Sequence, residues 1–454
     1  MPLAVEERLG GAADGFRLMW RELLPVGRLG SGGYARHAWT AADAECRDWF
    51  RRQAEARGLR YEVDRNGNQW AWWGDPAAGG AVLTGSHLDS VPGGGAFDGP
   101  LGVVAGFAAL DVLRDRPDVL PDRGVAPGAR PLAVVNFVEE EGARFGAACV
   151  GSRLTTGALG PEAARRLRDA DGLTLADAMA RAGRDPGLLG PDPERLARVG
   201  AFVELHIEQG RRLALTPSPV GVASGIWPHG RWRFDFHGEA NHAGTTGLEE
   251  RRDPMLSYAN TVLAARKKAR LAGALATFGR VEVEPGGTNA IASRVSGWLD
   301  SRAAEEGTLA EVVTEIERSA RERGARDGVR VEVARESYTP VVEFDAALRD
   351  RLVATLRAAS GVAPPVLPTG AGHDAGVLAA AVPTAMLFVR NPTGVSHSPH
   401  EHAEEDDCLA GVAALADVLA GLLADGPGGD AGPGGDGGPG GDGGPVGGVA
   451  GVPR

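Results

Sequence analysis

The sequence predicts an α/β protein in which a mostly parallel sheet carries helices on both faces and is interrupted by an inserted α+β domain. Three observations lead to this fold class. Short apolar runs alternate with helical patterns in the first half of the chain, a different rhythm of strands and helices follows, and the first pattern returns near residue 380. Strands that alternate with helices are typical of a parallel sheet covered on both faces. A chain of 454 residues is also long enough for two or three domains.

The first domain is predicted from three buried strands, each a short apolar run that ends in acids or histidines. These are AVLTGSH (81–87), PLAVVNFVEEEG (131–142) and AFVELHIEQG (201–210). A helical pattern over 100–116 separates the first two strands, and a strand over 381–389 and a helix over 408–425 complete the domain. Ligands bind beyond the carboxyl ends of parallel strands. We therefore expect these acids and histidines to face one cleft.

A second domain is predicted within the first, because the elements from about residue 220 to 339 follow the order βαββαβ. Its strands are RWRFDFHG (231–238), ATFGRVEVEPG (276–286), AIASRVSGWLDSR (290–302) and VRVEVARESY (329–338). The first helix, over 253–271, begins with Asp253 as N-cap and Pro254 at its first position. The second helix, over 308–324, is amphipathic. This order is typical of a ferredoxin-like sandwich, and such an insertion commonly serves as a lid or a subunit contact.

The predicted boundaries divide the chain into four parts. Residues 1–219 and 339–425 form the two halves of the outer domain, 220–338 form the inserted domain, and 426–454 form a tail. The tail repeats glycine, proline and aspartate, as in GPGGDAGPGGDGG, and cannot bury enough apolar surface to offset its chain entropy. A disordered acidic tail is therefore expected. A collagen-like segment is the alternative, weakened by the shortness of the run.

Composition limits the classes of function. The chain holds 48 basic and 60 acidic residues, a net charge of −12, which argues against a general nucleic-acid binder because such a protein needs a basic face. No signal peptide and no membrane-spanning run are expected. The three cysteines, Cys46, Cys149 and Cys408, lack the spacing of a disulfide framework or a zinc site. We expect them to be small buried apolar side chains in a reducing, cytoplasmic location.

Acids and histidines stand at or just after the ends of the predicted strands. They are His87, Asp98, the run Glu139–Glu141, His206 and His397. Singly, each such residue is more often a structural or solvated side chain. Carboxylates that share one cleft repel each other, by about 4 kcal/mol for two charges 4 Å apart at an effective dielectric constant of 20. A divalent cation between them would reverse the sign of that interaction.

The residue types favour a pair of metal ions. Two imidazoles and three carboxylates are enough for two ions that share a bridging carboxylate. Nitrogen and oxygen ligands without thiolate suit zinc, manganese, cobalt or nickel. Asp89, two residues after His87, is placed to accept the other ring N–H and to fix the tautomer of that histidine.

Seven ordered motifs carry a resemblance to a known family. They are GSHLDSVPGGGAFDG, FVEEEGARFG, ELHIEQG, GEANHAGTT, NAIASRVSGWLDSR, GAGHDA and SHSPHE. In this order they resemble the amidase/hydantoinase/carbamoylase branch of the dinuclear zinc (M20-type) peptidase family, which includes allantoate amidohydrolases, N-carbamoyl-L-amino acid hydrolases and β-ureidopropionases. The resemblance covers about residues 15–425. It implies a metallopeptidase-like catalytic domain with an inserted lid and dimerisation domain.

The resemblance implies a role for each residue at the strand ends. The metal ligands would be His87, Asp98, Glu141, His206 and His397, with Asp98 bridging two divalent ions, zinc first and manganese, nickel or cobalt as alternatives. Gly142 fixes the register of the E-E-G motif, which makes Glu140 the general base. The additional Glu139 leaves open a register shifted by one residue. Gln209 would contact the substrate.

The resemblance also assigns residues of the inserted domain. His242 would reach across a homodimer interface into the partner's site, while Asn289 and Arg302 would hold the substrate carboxylate. An arginine fork beside an amide suits carboxylate recognition, although Arg302 taken alone would be a surface charge. His373 and Asp374 either support the cleft or form a structural turn. The histidines not expected to bind metal are His229, His237, His400 and His402.

The implied reaction is hydrolysis of a ureido or amide C–N bond of a small carboxylate. Glu140 would take a proton from water and return it to the leaving nitrogen, and substrate binding would close the two domains. Allantoate is the favoured substrate, because stretches such as GNQWAWWGD and IWPHGRWRFDF resemble allantoate amidohydrolases. An N-carbamoyl-L-amino acid is the second candidate. Two further functions compete with these: a dinuclear peptidase, which the Asn289 and Arg302 pair disfavours, and a non-catalytic binding protein.

Overall fold

The computed structural model describes residues 2–116, 119 and 130–424, and the predicted tail (426–454) lies outside the described residues. The helices are α1 (Pro2–Leu9), α2 (Gly11–Leu23), α3 (Ala41–Ala56), α4 (Pro100–Arg114), α5 (Val150–Thr156), α6 (Pro161–Arg166), α7 (Leu175–Arg181), α8 (Pro193–Leu196), α9 (Pro254–Ala272), α10 (Glu306–Asp327), α11 (Ala346–Ser360), α12 (Asp374–Leu378) and α13 (Glu405–Ala424). The strands are β1 (Arg60–Val63), β2 (Gln69–Trp73), β3 (Ala81–His87), β4 (Leu132–Phe137), β5 (Val199–Ile207), β6 (Val220–Ile226), β7 (His229–His237), β8 (Asn241–His242), β9 (Leu275–Glu284), β10 (Ala290–Ile291), β11 (Arg294–Arg302), β12 (Arg330–Thr339), β13 (Val342–Glu343), β14 (Val366–Thr369) and β15 (Thr384–Val389).

A nine-stranded sheet forms the body of the outer domain, in the order β1-β2-β4-β3-β5-β15-β6-β13, with β14 beside β6. Its centre is parallel, because β3 pairs with β4 and β5, and β5 pairs with β15, in the same direction. The strands β1, β2 and β13 join antiparallel towards the edges. The predicted α/β fold class is thus confirmed.

Both faces of this sheet are covered, which holds the strand ends in place. On one face α2, α3, α4 and α13 form a single core with the sheet. The other face is built on large aromatic side chains, among them Trp70, Trp72, Phe137, Phe202 and Phe388. Burying each such side chain contributes about 2 kcal/mol. The packing is close enough that a Cβ on Gly85 of β3 would lie 2.0 Å from the carbonyl oxygen of Val135.

Among the described helices, α13 alone is long and apolar enough to cross a membrane. However, 67% of its most apolar window is buried within the protein, where α13 packs against α4 and β15. Its buried residues include Leu409, Val412, Leu415 and Leu419. Because most of its apolar residues are buried against neighbouring elements, α13 is a core helix of the outer domain.

The inserted domain is a four-stranded antiparallel sheet in the order β12-β7-β11-β9, packed against α9 and α10. Its elements follow the predicted βαββαβ order along the chain. The helix α9 begins at the predicted place, with Asp253 accepting the backbone N–H of Met255 at 2.9 Å and Pro254 opening the helix. A separate core fills the space between sheet and helices and includes Phe234, Phe236, Leu299, Leu309 and Ile316.

The inserted domain begins one strand later than predicted. Val220–Ile226 forms β6, which pairs with β15, β13 and β14 in the central sheet, so the outer domain extends to Ile226 rather than to 219. The local sequence pattern of β6 predicts a strand. It does not predict the sheet to which that strand belongs, because the partner strands come more than 100 residues later in the chain.

Two short connections join the domains. They are residues 227–228 and 340–341, and each contains a proline. The connections run side by side, because β6 pairs with β13 on one side of them and β7 pairs with β12 on the other.

Candidate metal centre

Polar side chains gather where the parallel strands β3, β4, β5 and β15 end, at the carboxyl edge of the central sheet. His87 is the last residue of β3, and Asp98 lies on the glycine-rich turn between β3 and α4. Glu139–Glu141 follow β4, His206 lies near the end of β5, and His397 lies on the loop after β15. The structure therefore brings together the residues that were predicted to share one cleft.

The first group of possible metal ligands consists of His87, Asp98 and His206, all buried. Asp98 Oδ1 lies 3.7 Å from Nε2 of His87 and 3.2 Å from Nε2 of His206. The other ring nitrogen, Nδ1, faces a backbone carbonyl in both histidines, that of Asp89 at 3.1 Å and that of Ile207 at 2.9 Å. Nδ1 is therefore the donor in each ring, and Nε2 presents a lone pair towards Asp98.

The second group consists of Asp98, Glu141 and His397. Asp98 Oδ2 lies 3.2 Å from Nε2 of His397, which in turn lies 3.7 Å from Oε2 of Glu141. Gln209 joins this group, with Nε2 at 2.8 Å from Asp98 Oδ2 and 3.2 Å from His397 Nε2. Asp98 thus directs one oxygen into each group, as a carboxylate shared by two cations does.

The two groups fit divalent cations. Nε2 of His87 and Nε2 of His206 are buried and have no hydrogen-bond partner among the described residues. Each presents a lone pair to a negative oxygen of Asp98, which is repulsive unless a proton or a cation lies between them. Imidazole and carboxylate ligands without thiolate suit zinc, manganese, cobalt or nickel. The donor set therefore matches two such ions, one in each group.

Charges within the cluster shift the pKa values of its members. Burial lowers the pKa of His87, but the carboxylates of Glu140 and Asp89 outweigh burial and hold that pKa well above its ordinary value. Burial raises the pKa of Asp98, yet His206 and His397, with a smaller contribution from His87, bring that pKa well below the ordinary range. The pKa of Glu141 is raised to about 7, mainly by burial and by the nearby Asp98. A field that retains protons in this way also attracts metal cations.

Asp89 and Gly99 hold the ligands in place. Asp89 accepts the backbone N–H groups of Glu140 and Glu141, at 3.2 and 3.1 Å, and so fixes the loop after β4. Its Oδ1 lies 3.5 Å from Nδ1 of His87, but the closer acceptor of that ring nitrogen is the backbone carbonyl of Asp89, so the predicted carboxylate contact stays a prediction. Gly99, with φ 84°, lies so close that a Cβ there would be 2.4 Å from the ring of His87.

Glu401 also positions the cluster, and it was not predicted from the sequence. Its Oε1 accepts the backbone N–H groups of Phe97 and Asp98, at 3.0 and 2.9 Å. Its Oε2 accepts the hydroxyl of Ser396 at 2.9 Å. One buried carboxylate therefore ties the loop of Asp98 to the loop of His397. The sequence signal for Glu401 is its position in the SHSPHEH stretch, in which His397 is the predicted ligand.

The three consecutive glutamates have three different surroundings. Glu139, with φ 53°, turns Oε1 to two backbone N–H groups of the loop that follows it, at 3.2 and 2.9 Å. Glu140 places Oε2 3.6 Å from Nε2 of His87, and Glu141 lies in the second ligand group. Of the three, Glu140 alone faces the cluster without belonging to a ligand group among the described residues. The predicted register, with Glu140 as base and Glu141 as ligand, stays a prediction.

The surroundings of Glu140 favour the protonated carboxyl. Burial raises the pKa of Glu140 well above its ordinary value, although His87 opposes the shift. Sγ of Cys149 donates to Oε1 at 3.3 Å, which leaves Oε2 towards the cluster. Cys149 is free and buried, as are the other two cysteines. A buried glutamate of this kind can hold a proton taken from water near neutral pH.

A third group of possible ligands, Glu204, His206 and His373, shares His206 with the first. Glu204, which was not predicted, already accepts the hydroxyl of Ser86 at 2.7 Å and a backbone N–H of α12 at 2.9 Å. The ring of His373 lies 4.5 Å from that of His206. Asp374 begins α12, is fully buried and accepts a hydroxyl from α5. His373 and Asp374 therefore lie on the buried side of the cluster.

A cavity of about 510 Å³ opens beside the second group. Gln209, Arg302 and His397 line it, so the structure brings the predicted carboxylate-binding arginine close to the ligand groups. Nε and Nη2 of Arg302 donate to Oδ1 and Oδ2 of Asp300 at 2.8 and 3.1 Å, and Nη1 donates to the carbonyl of Gly370. Two of the five guanidinium N–H groups remain for a ligand.

His242 and Asn289 lie outside this cavity. Both are exposed: His242 pairs with Ala290 in the two-stranded ribbon β8–β10, and Asn289 directly precedes β10, where its carbonyl accepts the backbone N–H of Ala243 at 2.9 Å. The described residues that line the cavity include neither of them. Their predicted roles therefore stay predictions.

The remaining predicted non-ligands have other neighbours. Nδ1 of His229 faces a backbone carbonyl at 3.0 Å, and His237 lies 3.3 Å from a glutamate of β12. His402 lies 3.2 Å from a neighbouring glutamate, and His400 is exposed.

Thr369 lines the cavity, and its hydroxyl accepts a backbone N–H from the loop after β14 at 3.0 Å.

Comparison with known proteins agrees with this geometry. The profile of peptidase family M20/M25/M40 matches residues 83–421. An N-carbamoyl-L-amino acid amidohydrolase of Geobacillus stearothermophilus is 38% identical over 405 residues, which cover 87% of this chain and 96% of that protein. An allantoate amidohydrolase of Escherichia coli K12 is 32% identical over 416 residues, which cover 89% of this chain and 97% of that protein.

A solved structure from Burkholderia vietnamiensis, an amidase of the hydantoinase/carbamoylase family, has the same fold. It superposes with a TM-score of 0.80 at 30% identity and covers 90% of this chain and 98% of that one. The predicted family is confirmed. The chain belongs to the M20/M25/M40 peptidase family, in its hydantoinase/carbamoylase branch, and is a metal-dependent hydrolase of carbon–nitrogen bonds other than peptide bonds.

Proposed function

We propose that the protein hydrolyses a ureido C–N bond of a small carboxylate in the cytoplasm. The observation that carries this proposal is one cleft with two ligand groups that share Asp98, a buried glutamate beside them and Arg302 in the wall of the adjoining cavity. The similar proteins support allantoate and N-carbamoyl-L-amino acids equally, so the favoured allantoate is one of two candidates. Three free, buried cysteines support the cytoplasmic location.

In this proposal each ligand group would hold one divalent ion, and Asp98 would supply a ligand oxygen to each group. When bound, the ions lower the pKa of a water molecule towards neutrality and polarise the substrate carbonyl. Asp89 and Glu401 keep the ligands in register through their hydrogen bonds to the ligand loops.

Glu140 acts as general base and then as general acid. Cys149 holds Oε1, and Oε2 is left to accept a proton from the attacking water. Glu140 then passes this proton to the leaving nitrogen as the C–N bond breaks. The raised pKa of Glu140 allows one carboxyl group to serve in both steps near neutral pH.

Residues of the inserted domain complete the site in a homodimer. The two remaining N–H groups of Arg302 suit a carboxylate, so Arg302 binds the substrate carboxylate from its own subunit. Asn289 lies beside His242 at the opposite end of β11, so it reaches this carboxylate from the partner subunit. His242, exposed on its ribbon, enters the partner's cleft and stabilises the developing oxyanion. Because Arg302 and the ligand groups belong to different domains, substrate binding draws the domains together and expels water.

Ammonia release from allantoate and from N-carbamoyl-L-methionine tests the proposed reaction. We expect the metal-loaded protein to hydrolyse at least one of them with kcat/KM of about 10⁴ M⁻¹ s⁻¹ or more, the lower end of ordinary enzyme efficiency. The ratio of the two values assigns the substrate. Dipeptides serve as the control, and faster hydrolysis of a dipeptide than of either ureido acid would contradict the proposal.

Mixing two inactive variants, Glu140→Gln and His242→Ala, should restore activity if His242 acts on the partner's site. In a hybrid dimer, one of the two sites then has both an intact Glu140 and a partner histidine. Random exchange makes about one quarter of all sites functional, so recovery should approach about 25% of wild-type activity. Mass-tagged subunits verify the exchange. No recovery in a mixture with verified exchange would exclude the shared site.

A further inference from the structure

The cavity beside the ligand groups carries more positive charge than one substrate carboxylate requires. Besides Arg302, it is lined by Arg211 and Arg212, which lie on the loop after β5 directly beyond Gln209. Both arginines are exposed. Neither of them forms an ion pair with any part of the chain that the structure describes.

The acid closest to these arginines in sequence is used for another purpose. Glu208 is the one carboxylate among the described residues that line the cavity, and it is 7% exposed. Its two oxygens accept the backbone N–H groups of Arg212 and Leu213, at 2.7 and 2.8 Å, so it caps the loop. The guanidinium of Arg212 instead lies over the ring of Trp227, with Cζ 5.1 Å from the ring centroid. This stacking orients the guanidinium and leaves its charge unneutralised.

The third arginine of the cavity differs from these two. Asp300 pairs with Arg302 through two hydrogen bonds, so Arg302 offers free N–H donors but little net charge. Arg211 and Arg212 are two cations without an acidic partner among the described residues, in a chain whose net charge is −12. Guanidinium groups that line a cavity in this way attract a further anionic group, and they bind carboxylates with defined geometry.

We infer that the substrate is a ureido acid with a second carboxylate, namely the N-carbamoyl derivative of a dicarboxylic amino acid. This inference rests on the proposed function. The first carboxylate binds Arg302, and the distal carboxylate binds Arg211 and Arg212. Gln209 reaches the ligand groups, and Arg211 follows two residues later, so the loop spans at most about 7 Å between them. That length is comparable with the carbon chain of such an amino acid.

The test compares N-carbamoyl-L-aspartate and N-carbamoyl-L-glutamate with their neutral amides, N-carbamoyl-L-asparagine and N-carbamoyl-L-glutamine. Each acid and its amide have nearly the same shape and differ by one charge. For the better pair, we expect the metal-loaded full chain to show kcat/KM at least about 10-fold higher for the acid, since a hydrogen bond between charged groups supplies roughly that factor. This acid-over-amide ratio should fall as salt is added.

Variants of Arg211 and Arg212 test whether these residues cause the preference for the acid over the amide. Arg211→Gln and Arg212→Gln, singly and together, should reduce the acid-over-amide ratio towards 1, and a melting curve checks that each variant is folded. Arg52→Gln, at an exposed position of α3, removes the same charge outside the cavity lining and should leave the ratio unchanged.

The outcomes separate this inference from the proposed function. Efficient hydrolysis of the amides with a ratio of 1 or less would overturn the inference and leave the proposed function standing. Hydrolysis of allantoate or N-carbamoyl-L-methionine but of none of the four compounds would likewise overturn the inference alone. Failure to hydrolyse all six compounds would overturn both. A high ratio that survives the double variant would overturn the assignment to Arg211 and Arg212.

Discussion

Replacing Glu140 with glutamine should reduce kcat about 1000-fold while both metal ions stay bound, because a general base contributes factors of this order. Glutamine keeps the size of the side chain and an oxygen that accepts the thiol of Cys149, but it cannot take a proton from water. Glu140 also lies outside both ligand groups. The measurement combines kcat for the best ureido substrate, metal content by elemental analysis and the melting temperature.

Glu139→Gln is the matched control, because it makes the same change at the neighbouring residue. Glu139 faces backbone N–H groups of its own loop. Its pKa is raised to about 8, mainly by burial and by Asp89, so the carboxyl is mostly protonated at pH 7 and the amide resembles it. We expect kcat to change less than about 10-fold. If Glu139→Gln were inactive and Glu140→Gln active, the general base would be Glu139, and the predicted register of the motif would be wrong by one residue.

Removing the metal ions should abolish turnover and lower the melting temperature. The ligands come from the ends of four strands, so they are assembled in the folded chain and dispersed in the unfolded one. Ions that bind the folded chain alone add about 4 kcal/mol to its free energy of unfolding at 1000 times their Kd. That amount corresponds to a shift of roughly 8 °C or more for a domain of moderate size. Dialysis against a chelator, followed by zinc or manganese, should remove and then restore both properties.

A pair of histidine variants locates the metal within the cluster. His397→Ala should lose the ion of the second group, since His397 Nε2 lies between Asp98 and Glu141. His400→Ala, three residues further on and exposed, should keep both ions. Full activity of a preparation with less than about 0.1 ion per chain would overturn the metal-based function.

Features with a local signal could be predicted from the sequence. The bounds of β3 coincide with the AVLTGSH run, because a fully buried strand requires continuous apolar residues and Gly85 permits the close approach of β4. The start of α9 follows from the cap formed by Asp253 and Pro254. The meeting of the candidate ligands at one sheet edge follows from the rule for parallel strands.

Features that depend on distant contacts could not be predicted in this way. The pattern of β6 indicates a strand but not the sheet to which it belongs. The predicted start of the inserted domain, residue 220, is therefore one strand too early. Glu401 meets the backbone of Asp98 across 303 positions, and no local pattern marks that contact. The helices α5 to α8 have at most seven residues each, too few for a helical period to show. They are stabilised by their own apolar cluster around Leu154 and Met179.

The paired connections between the domains restrict how these can move. A single connection would let the inserted domain rotate about several axes. Two adjacent connections favour rotation about one hinge axis that passes through both. Pro228 and Pro340 narrow the backbone freedom of those crossings further. If the domains close on substrate, we therefore expect Arg302 and the ligand groups to approach each other along a single arc.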